Sequence, residues 1–239
     1  PLMKLAERAA RKYREEGVPD AALRDALTPR YAMGCKRVLF SNDYYAAIQR
    51  ENVELVTDPI AEVREHSIVT KDGRELPIDV LVLATGFDAA EVKAPFPIHG
   101  RPGRTLPDGA DAYLGTTFAG FPNLFMIIGP NTGLGHTSMV VMMEAQIGYI
   151  LGALRAMKRK KLRLVEVRED VQRRYNQRIQ ARLAKSVWNA GCSSWYRDEH
   201  GKTTTLWPGL TLEYRARMAR FDLESYERAR EALPVRRAD

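Results

Sequence analysis

The stretch Phe121 to Leu154, FPNLFMIIGPNTGLGHTSMVVMMEAQIGYILGAL, decides how the chain is read. Leu124 to Ile128 is a continuous apolar run that ends at Gly129-Pro130, the pattern of a short strand covered on both faces. Gly129, Gly133 and Gly135 follow in a loop where the backbone can turn tightly and approach whatever lies above it. Thr137 and Ser138 are N-cap types, so a long apolar helix is expected to open there, aiming its free N–H groups and positive dipole end into the same space. Such a corner seats an anion or an electron-rich ring. The spacing Gly129-xxx-Gly133-x-Gly135 is neither the dinucleotide fingerprint G-x-G-x-x-G nor a Walker loop, so taken alone the corner is equally an ordinary αβ connection. From Ser138 to Leu154 the helix has 17 mostly apolar residues with Glu144 and Gln146 near the middle. That is short for a membrane span, and a buried core helix is the expectation.

Outward from this stretch, the chain alternates in α/β fashion. Pro1 to Glu16 carries Leu2, Leu5, Ala9 and Tyr13 on one helical face, and Asp20 to Leu27 predicts a second short helix. Cys35 to Phe40 reads as a strand, Asp43 to Gln49 as a short helix, and Asn52 to Val56 as another strand. Ile60 to Thr70 and Glu75 to Ile78 flank Lys71-Asp72-Gly73, a hairpin signal. Asp79 to Phe87, DVLVLATGF, predicts a covered central strand whose carboxyl end places Thr85 and Gly86 where sheets of this kind hold ligands. Ala89 to Asp111 reads as a proline- and glycine-rich loop, Tyr113 to Phe118 as a short strand, and Asn189 to Trp207 as a loop; Trp188 just before it, with Trp195 and Trp207, suggests that it packs against something.

The 239 residues, 45% of them apolar, suffice for one large or two modest domains. The first residues show neither a signal peptide nor a membrane segment, and a chain starting at Pro1 is expected to be cut from a longer one. Cys35 and Cys192 lie 157 positions apart without a CxxC or His/Cys cluster, which suits a reducing cytoplasm and gives no metal site. The net charge of +7 is concentrated between Leu151 and Lys185, where twelve Lys/Arg face three acids. Within Asp170 to Trp188 the residues Val171, Tyr175, Ile179, Leu183 and Val187 recur at helical spacing with arginines between them, an amphipathic helix with a solvated face. No docking motif or stacking platform accompanies the charge, so nucleic acid is not an expected partner.

The set GCKR (Gly34 to Arg37), YY (Tyr44-Tyr45), NVELV (Asn52 to Val56), DVLVLATGFDA, FPNLFMIIGPNTGLGH and SWY (Ser194 to Tyr196) resembles the C-terminal half of class B flavoprotein monooxygenases, of the Baeyer–Villiger and flavin-containing monooxygenase type. The resemblance implies an α/β fold, a partial flavoprotein with two dinucleotide-binding domains of doubly wound sheets, whose N-terminal half is missing. Residues 1–87 would be the last part of the NADPH domain, 88–160 the returning part of the FAD domain, and 161–239 a C-terminal helical and loop extension. Both G-x-G-x-x-G motifs and the fingerprint F-x-G-x-x-x-H-x-x-x-W-P are absent from this sequence. The implied chemistry is oxidoreduction: NADPH reduces FAD, and a C4a-peroxyflavin inserts one oxygen of O2 into a ketone or oxygenates a soft nitrogen or sulfur of a small organic substrate. On this mapping Arg37 is catalytic, steadying the anion and the nicotinamide with a planar, permanently charged fork. Lys36, Thr85, Gly86, Gly129, Asn131, Gly133, Gly135, His136, Thr137 and Trp195 are the implied FAD and NADP contacts. His66, His99 and His200 read as surface. The alternatives are an FAD/NAD(P)H reductase without oxygenation and a non-catalytic basic binding module.

Overall fold

The computed structural model describes residues 2–86, 96–106, 111–189, 191, 194–198 and 200–230. They fall into two compact units, one formed by 1–33 and 38–87 and the other by 34–37 and 88–239. Phe87, the start of the proline-rich loop and Cys192 lie outside the described residues.

In the first unit Leu2–Gly17 (α1) is followed by Ala21–Ala26 (α2), which opens because Asp20 accepts the Leu23 N–H at 2.7 Å. Tyr44–Ile48 (α3) lies against α1, with the rings of Tyr13 and Tyr45 5.6 Å apart and Gln49 Nε2 donating to the Gly17 carbonyl at 2.8 Å. Ile60–Val63 (β1), Ser67–Thr70 (β2) and Glu75–Pro77 (β3) form a three-stranded antiparallel sheet in sequence order. The turn at Lys71-Asp72-Gly73 is the expected one, with Gly73 at φ +90°.

The expected strands at Cys35–Phe40, Asn52–Val56 and Asp79–Phe87 are not strands among the described residues, and several of their apolar side chains stand in solvent: Phe40 is 93% exposed and Val80 76%. The reason is physical. A strand of a parallel sheet owns no hydrogen bonds of its own and exists only when flanking strands pair with it. No described segment pairs with these three.

The second unit is built on Met139–Lys160 (α4), with Leu164–Val167 (β4), Glu169–Leu183 (α5), Thr211–Met218 (α6) and Tyr226–Ala229 (β5) around it. Ser138 caps α4 through the Val140 N–H at 3.2 Å, and Lys161, at φ +53°, ends it just after Lys158, Arg159 and Lys160 have met the negative end of the dipole. The helix is not wholly buried as expected. Met142, Gln146, Tyr149, Ala153 and Ala156 face the core, while Val140, Ile147, Leu151 and Leu154 stay exposed. Among the described residues α4 is the one helix long and apolar enough to cross a membrane, yet its inner face is polar where it counts. Gln146 Nε2 donates to the Gly115 carbonyl at 3.0 Å and to Thr116 Oγ1 at 2.9 Å, and its Oε1 accepts the Ile128 N–H at 2.9 Å.

Those bonds explain why Leu124–Ile128 is not the expected buried strand. The segment folds back along residues 113–117, with the Met126 N–H on the Thr116 carbonyl, leaving Ile127 42% exposed. Tyr113–Phe118 likewise makes only isolated bridges. By contrast β4 and β5 pair antiparallel from Leu164↔Ala229 to Val167↔Tyr226, and all four β4 side chains are buried. Buried Glu166 is answered by Arg101 Nε at 2.7 Å and the Gly120 N–H at 2.7 Å. Tyr149, Tyr226 and Thr117 form a hydroxyl chain with 3.1 Å links, and Tyr214 Oη donates to the Leu114 carbonyl at 2.7 Å. Helix α5 buries Tyr175, Ile179 and Leu183 as its spacing predicts. Cys35, on the short piece 34–37, is fully buried and disulfide-bonded, which the wide cysteine spacing did not suggest.

Two outcomes test this packing. Gln146→Leu leaves the Ile128 N–H without its acceptor, while the Gly115 carbonyl keeps the Gly129 N–H and the Thr116 hydroxyl keeps the Leu114 carbonyl, so chemical denaturation is expected to show a loss of roughly 1–3 kcal/mol. Glu213 of α6 is held below its ordinary value of 4.5, chiefly by its hydrogen bond from Arg182 of α5. Its stabilisation is therefore present above that value and lost as pH falls through the lower folded one. Glu213→Gln is expected to reduce stability at neutral pH and to flatten the acid limb of the stability–pH curve.

Candidate functional site

The glycine loop of the second unit has two halves with different work. In the first, Asn131 is buried at φ +56°, its Nδ2 donating to the carbonyls of Thr203 at 2.9 Å and Leu206 at 3.1 Å while its N–H bonds the Thr204 carbonyl at 2.7 Å. Gly133 pairs in parallel with the same segment, donating to Thr205 at 2.7 Å and accepting from the Trp207 N–H at 2.8 Å. A Cβ on Gly133 would sit 2.7 Å from the Thr205 carbonyl, and one on Gly129 2.5 Å from the Gly115 carbonyl. The close approach permitted by these two glycines is thus to the protein's own backbone. Gly129, Asn131 and Gly133 fasten the loop, a role that sequence spacing does not separate from ligand contact.

The second half is open. Gly135, His136 and Thr137 are exposed, and a Cβ on Gly135 would meet only Trp188 Cζ2, at 4.0 Å. The Thr137 hydroxyl bonds that of Thr211, which anchors the loop to α6. Directly beyond lies the N-terminus of α4, whose first amides have no carbonyl partner in the helix. Ser138 takes the Val140 amide; the open glycine face and the positive helix end beside it are features that an electron-rich, anion-forming ring such as a flavin requires, so the residues fit that group.

Gly34–Arg37 packs with this unit rather than with the residues on either side of it in the sequence. Arg37 Nη1 donates to the Leu134 carbonyl at 3.3 Å, next to Gly135. Tyr196 is buried against it; burial holds its phenol above the ordinary value, an effect the Arg37 charge partly offsets, so the hydroxyl stays protonated. Trp195 packs against Tyr196 with ring centroids 4.5 Å apart and planes tilted by 59°, and keeps 48% of its surface free, while Trp188 meets Tyr196 edge-on at 6.4 Å. The structure therefore brings Arg37, Gly135 and the Trp188–Trp195–Tyr196 cluster together. Lys36 is exposed on the same short piece, and His136 is exposed on the loop. Thr85 and Gly86 belong to the first unit, where both are exposed and Gly86 takes φ +87°. Sequence reading missed Tyr196 and Trp188 as site residues. Their signal was present in the aromatic clustering around SWY, but only the fold shows that they flank Arg37. His66, His99 and His200 are at the surface, and among the described residues no three His, Cys, Asp or Glu side chains form a metal cluster.

No family profile matches the chain. A Baeyer–Villiger monooxygenase of Pseudomonas aeruginosa is 46% identical over 231 residues, covering 94% of this chain and 44% of the relative. Among solved structures, an oxidised steroid monooxygenase bound to NADP superposes with a TM-score of 0.80 at 28% identity, covering 94% of this chain and 46% of the other. OTEMO in complex with FAD and NADP gives 0.81 at 26%, covering 95% and 44%. The chain is homologous to the flavoprotein monooxygenases of the Baeyer–Villiger type and corresponds to a portion like their C-terminal half. It spans less than half the length of the curated relatives it matches. The likeness supports a partial flavoprotein fold, whereas two doubly wound sheets are not seen among the described residues.

The two halves of the loop should respond differently to a methyl group. Gly133→Ala is expected to lower stability by about 1–3 kcal/mol because the Thr205 carbonyl must move. Gly135→Ala, with nothing closer than Trp188, should stay within about 0.5 kcal/mol of the parent in the same denaturant titration.

Proposed function

We propose that this chain is part of an FAD- and NADPH-dependent monooxygenase that places one oxygen atom of O2 into a ketone, in Baeyer–Villiger fashion, or onto a soft nitrogen or sulfur. The observation that carries the reading is Arg37, bonded to the Leu134 carbonyl beside the open face of Gly135 and flanked by buried Tyr196. The relatives' names, and the NADP and FAD in the solved neighbours, support it from outside the chain.

On this reading Gly135, His136 and Thr137 with the α4 N-terminus hold the flavin, Arg37, Lys36 and Trp195 face the nicotinamide nucleotide, and Thr85 and Gly86 lie where the ATG run ends. When bound, flavin and NADPH supply the electrons and the oxygen-activating ring. The chain's own residues do the rest. Arg37 offers a planar fork of N–H donors to an anionic oxygen. Its tether to Leu134 pre-positions that charge, so little reorganisation is needed when negative charge develops. Trp188, Trp195 and Tyr196 supply apolar surface that keeps water from the same space. Tyr196, protonated, adds a neutral wall rather than a competing anion. The nucleotide-binding glycine motifs would come from the rest of the same enzyme.

The experiment is turnover by the full-length protein carrying this chain. Arg37→Ala is expected to retain flavin absorbance while losing about 10²–10³-fold in oxygenated product. Arg37→Lys should recover little, since an ammonium keeps the charge without the fork. Undiminished product from Arg37→Ala would overturn the assignment, and a parent that consumes NADPH without oxygenating any ketone, amine or sulfide would be a reductase instead. Gly135→Val is expected to lower flavin content, read from the absorbance of the purified protein.

A further inference from the structure

The basic stretch between Leu151 and Lys185 has no part in the site above. Its arginines are not spread evenly over a solvated face. Arg174, Arg178 and Arg182 recur at four-residue intervals along α5, and Val171, Tyr175 and Ile179 form the adjoining row at the same interval. Both rows line one cleft of about 560 Å³, open to solvent on one side, to which Arg168, Arg217, Asp222, Glu224 and Ser225 also contribute. None of its lining residues comes from the glycine loop.

Four of the five arginines are set in place by acids. Asp170 takes Arg168 at 3.1 Å and Arg174 at 2.8 Å, and Glu213 takes Arg182 at 2.7 Å and Arg217 at 3.1 Å. Each carboxylate is shared between two guanidiniums, which leaves spare N–H donors on all four. Arg178 has no hydrogen-bond or ion-pair partner among the described residues. Asp222 and Glu224 also line the space; counted with Asp170 and Glu213, which hold the arginines without lining it, four carboxylates answer five arginines and one positive charge is left over. The apolar part is equally specific. Leu114 and Ile179 are buried, and Tyr175 is only 7% exposed with a buried hydroxyl that finds no partner. Burial raises that phenol above its ordinary value, so it remains a donor without an acceptor. Unpartnered buried donors are rare in folded proteins and call for an explanation.

We propose that this cavity binds a small organic anion, one carboxylate or phosphate carried on an apolar body of about one ring. The headgroup is taken by Arg178 and the spare donors of its neighbours, and the body lies on Leu114, Tyr175 and Ile179. The volume is that of a small-molecule site, and a guanidinium row suits an oxyanion headgroup better than ammonium groups would. Metabolites of both headgroup types share this chemistry.

The test is isothermal titration of the full-length protein with phenyl phosphate, benzoate and inorganic phosphate. At least one aryl anion is expected to bind saturably and about tenfold more tightly than inorganic phosphate, and whichever aryl anion prevails identifies the headgroup. Arg178→Gln should weaken it about tenfold, Tyr175→Phe should weaken it several-fold while keeping the ring, and Arg173→Gln, on the same helix but outside the cavity, should leave it unchanged. Arg178 and Arg173 are both exposed, so neither variant threatens folding. The proposal fails if neither aryl anion saturates by about 10 mM, if inorganic phosphate binds as tightly as both, or if Arg173→Gln costs as much as Arg178→Gln.

Discussion

A single carboxamide in the middle of α4 holds the second unit to its shape. Gln146 spends both its N–H groups and its carbonyl on the chain at Gly115, Thr116 and Ile128. Those three partners belong to the two limbs that lead into the glycine loop, so the helix, the limbs and the loop are one framework. A buried amide is tolerable only when all its polar atoms are met, and once met it permits one arrangement among many of similar apolar burial. Asn131 repeats the device at the other end, stitching the loop to residues 203–206.

This division of labour gives the site its character. Positions that the loop cannot vary, Gly129, Asn131 and Gly133, are locked by contacts within the protein, whereas Gly135 and His136 are exposed between that locked part and the Thr137–Thr211 bond. A preorganised loop leading into a helix N-terminus costs little to bring to a ligand. Arg37 reaches the same place from a distant part of the chain, and its bond to Leu134 converts a long flexible side chain into a positioned charge.

The basic charge of the chain divides in a comparable way. Carboxylates from Asp170 and Glu213 turn four arginines of the α5–α6 region into a framework rather than a diffuse field. Net charge read from composition would not distinguish that from a solvated helix face, because composition records how many charges exist and not how they are paired.

Local pattern was enough for the features whose causes are local. The helices α1, α3, α4 and α5, the Asp20 and Ser138 caps, and the Lys71-Asp72-Gly73 turn follow from periodicity and capping chemistry within a few residues. The ordered motifs from GCKR to SWY also carried the kinship with Baeyer–Villiger monooxygenases. What needed the tertiary structure was non-local. The pairing of β4 with β5 joins segments some sixty positions apart, and the apolar runs at 38–40 and 80–84 read as strands although strand geometry depends on neighbours the run itself does not contain. Likewise the sequence by itself named Arg37 and Gly135, but their meeting beside Tyr196, and the separation of fastening glycines from open ones, were decided by backbone approach in three dimensions, since a glycine looks the same in sequence whether the atom above it is the protein's own or a ligand's.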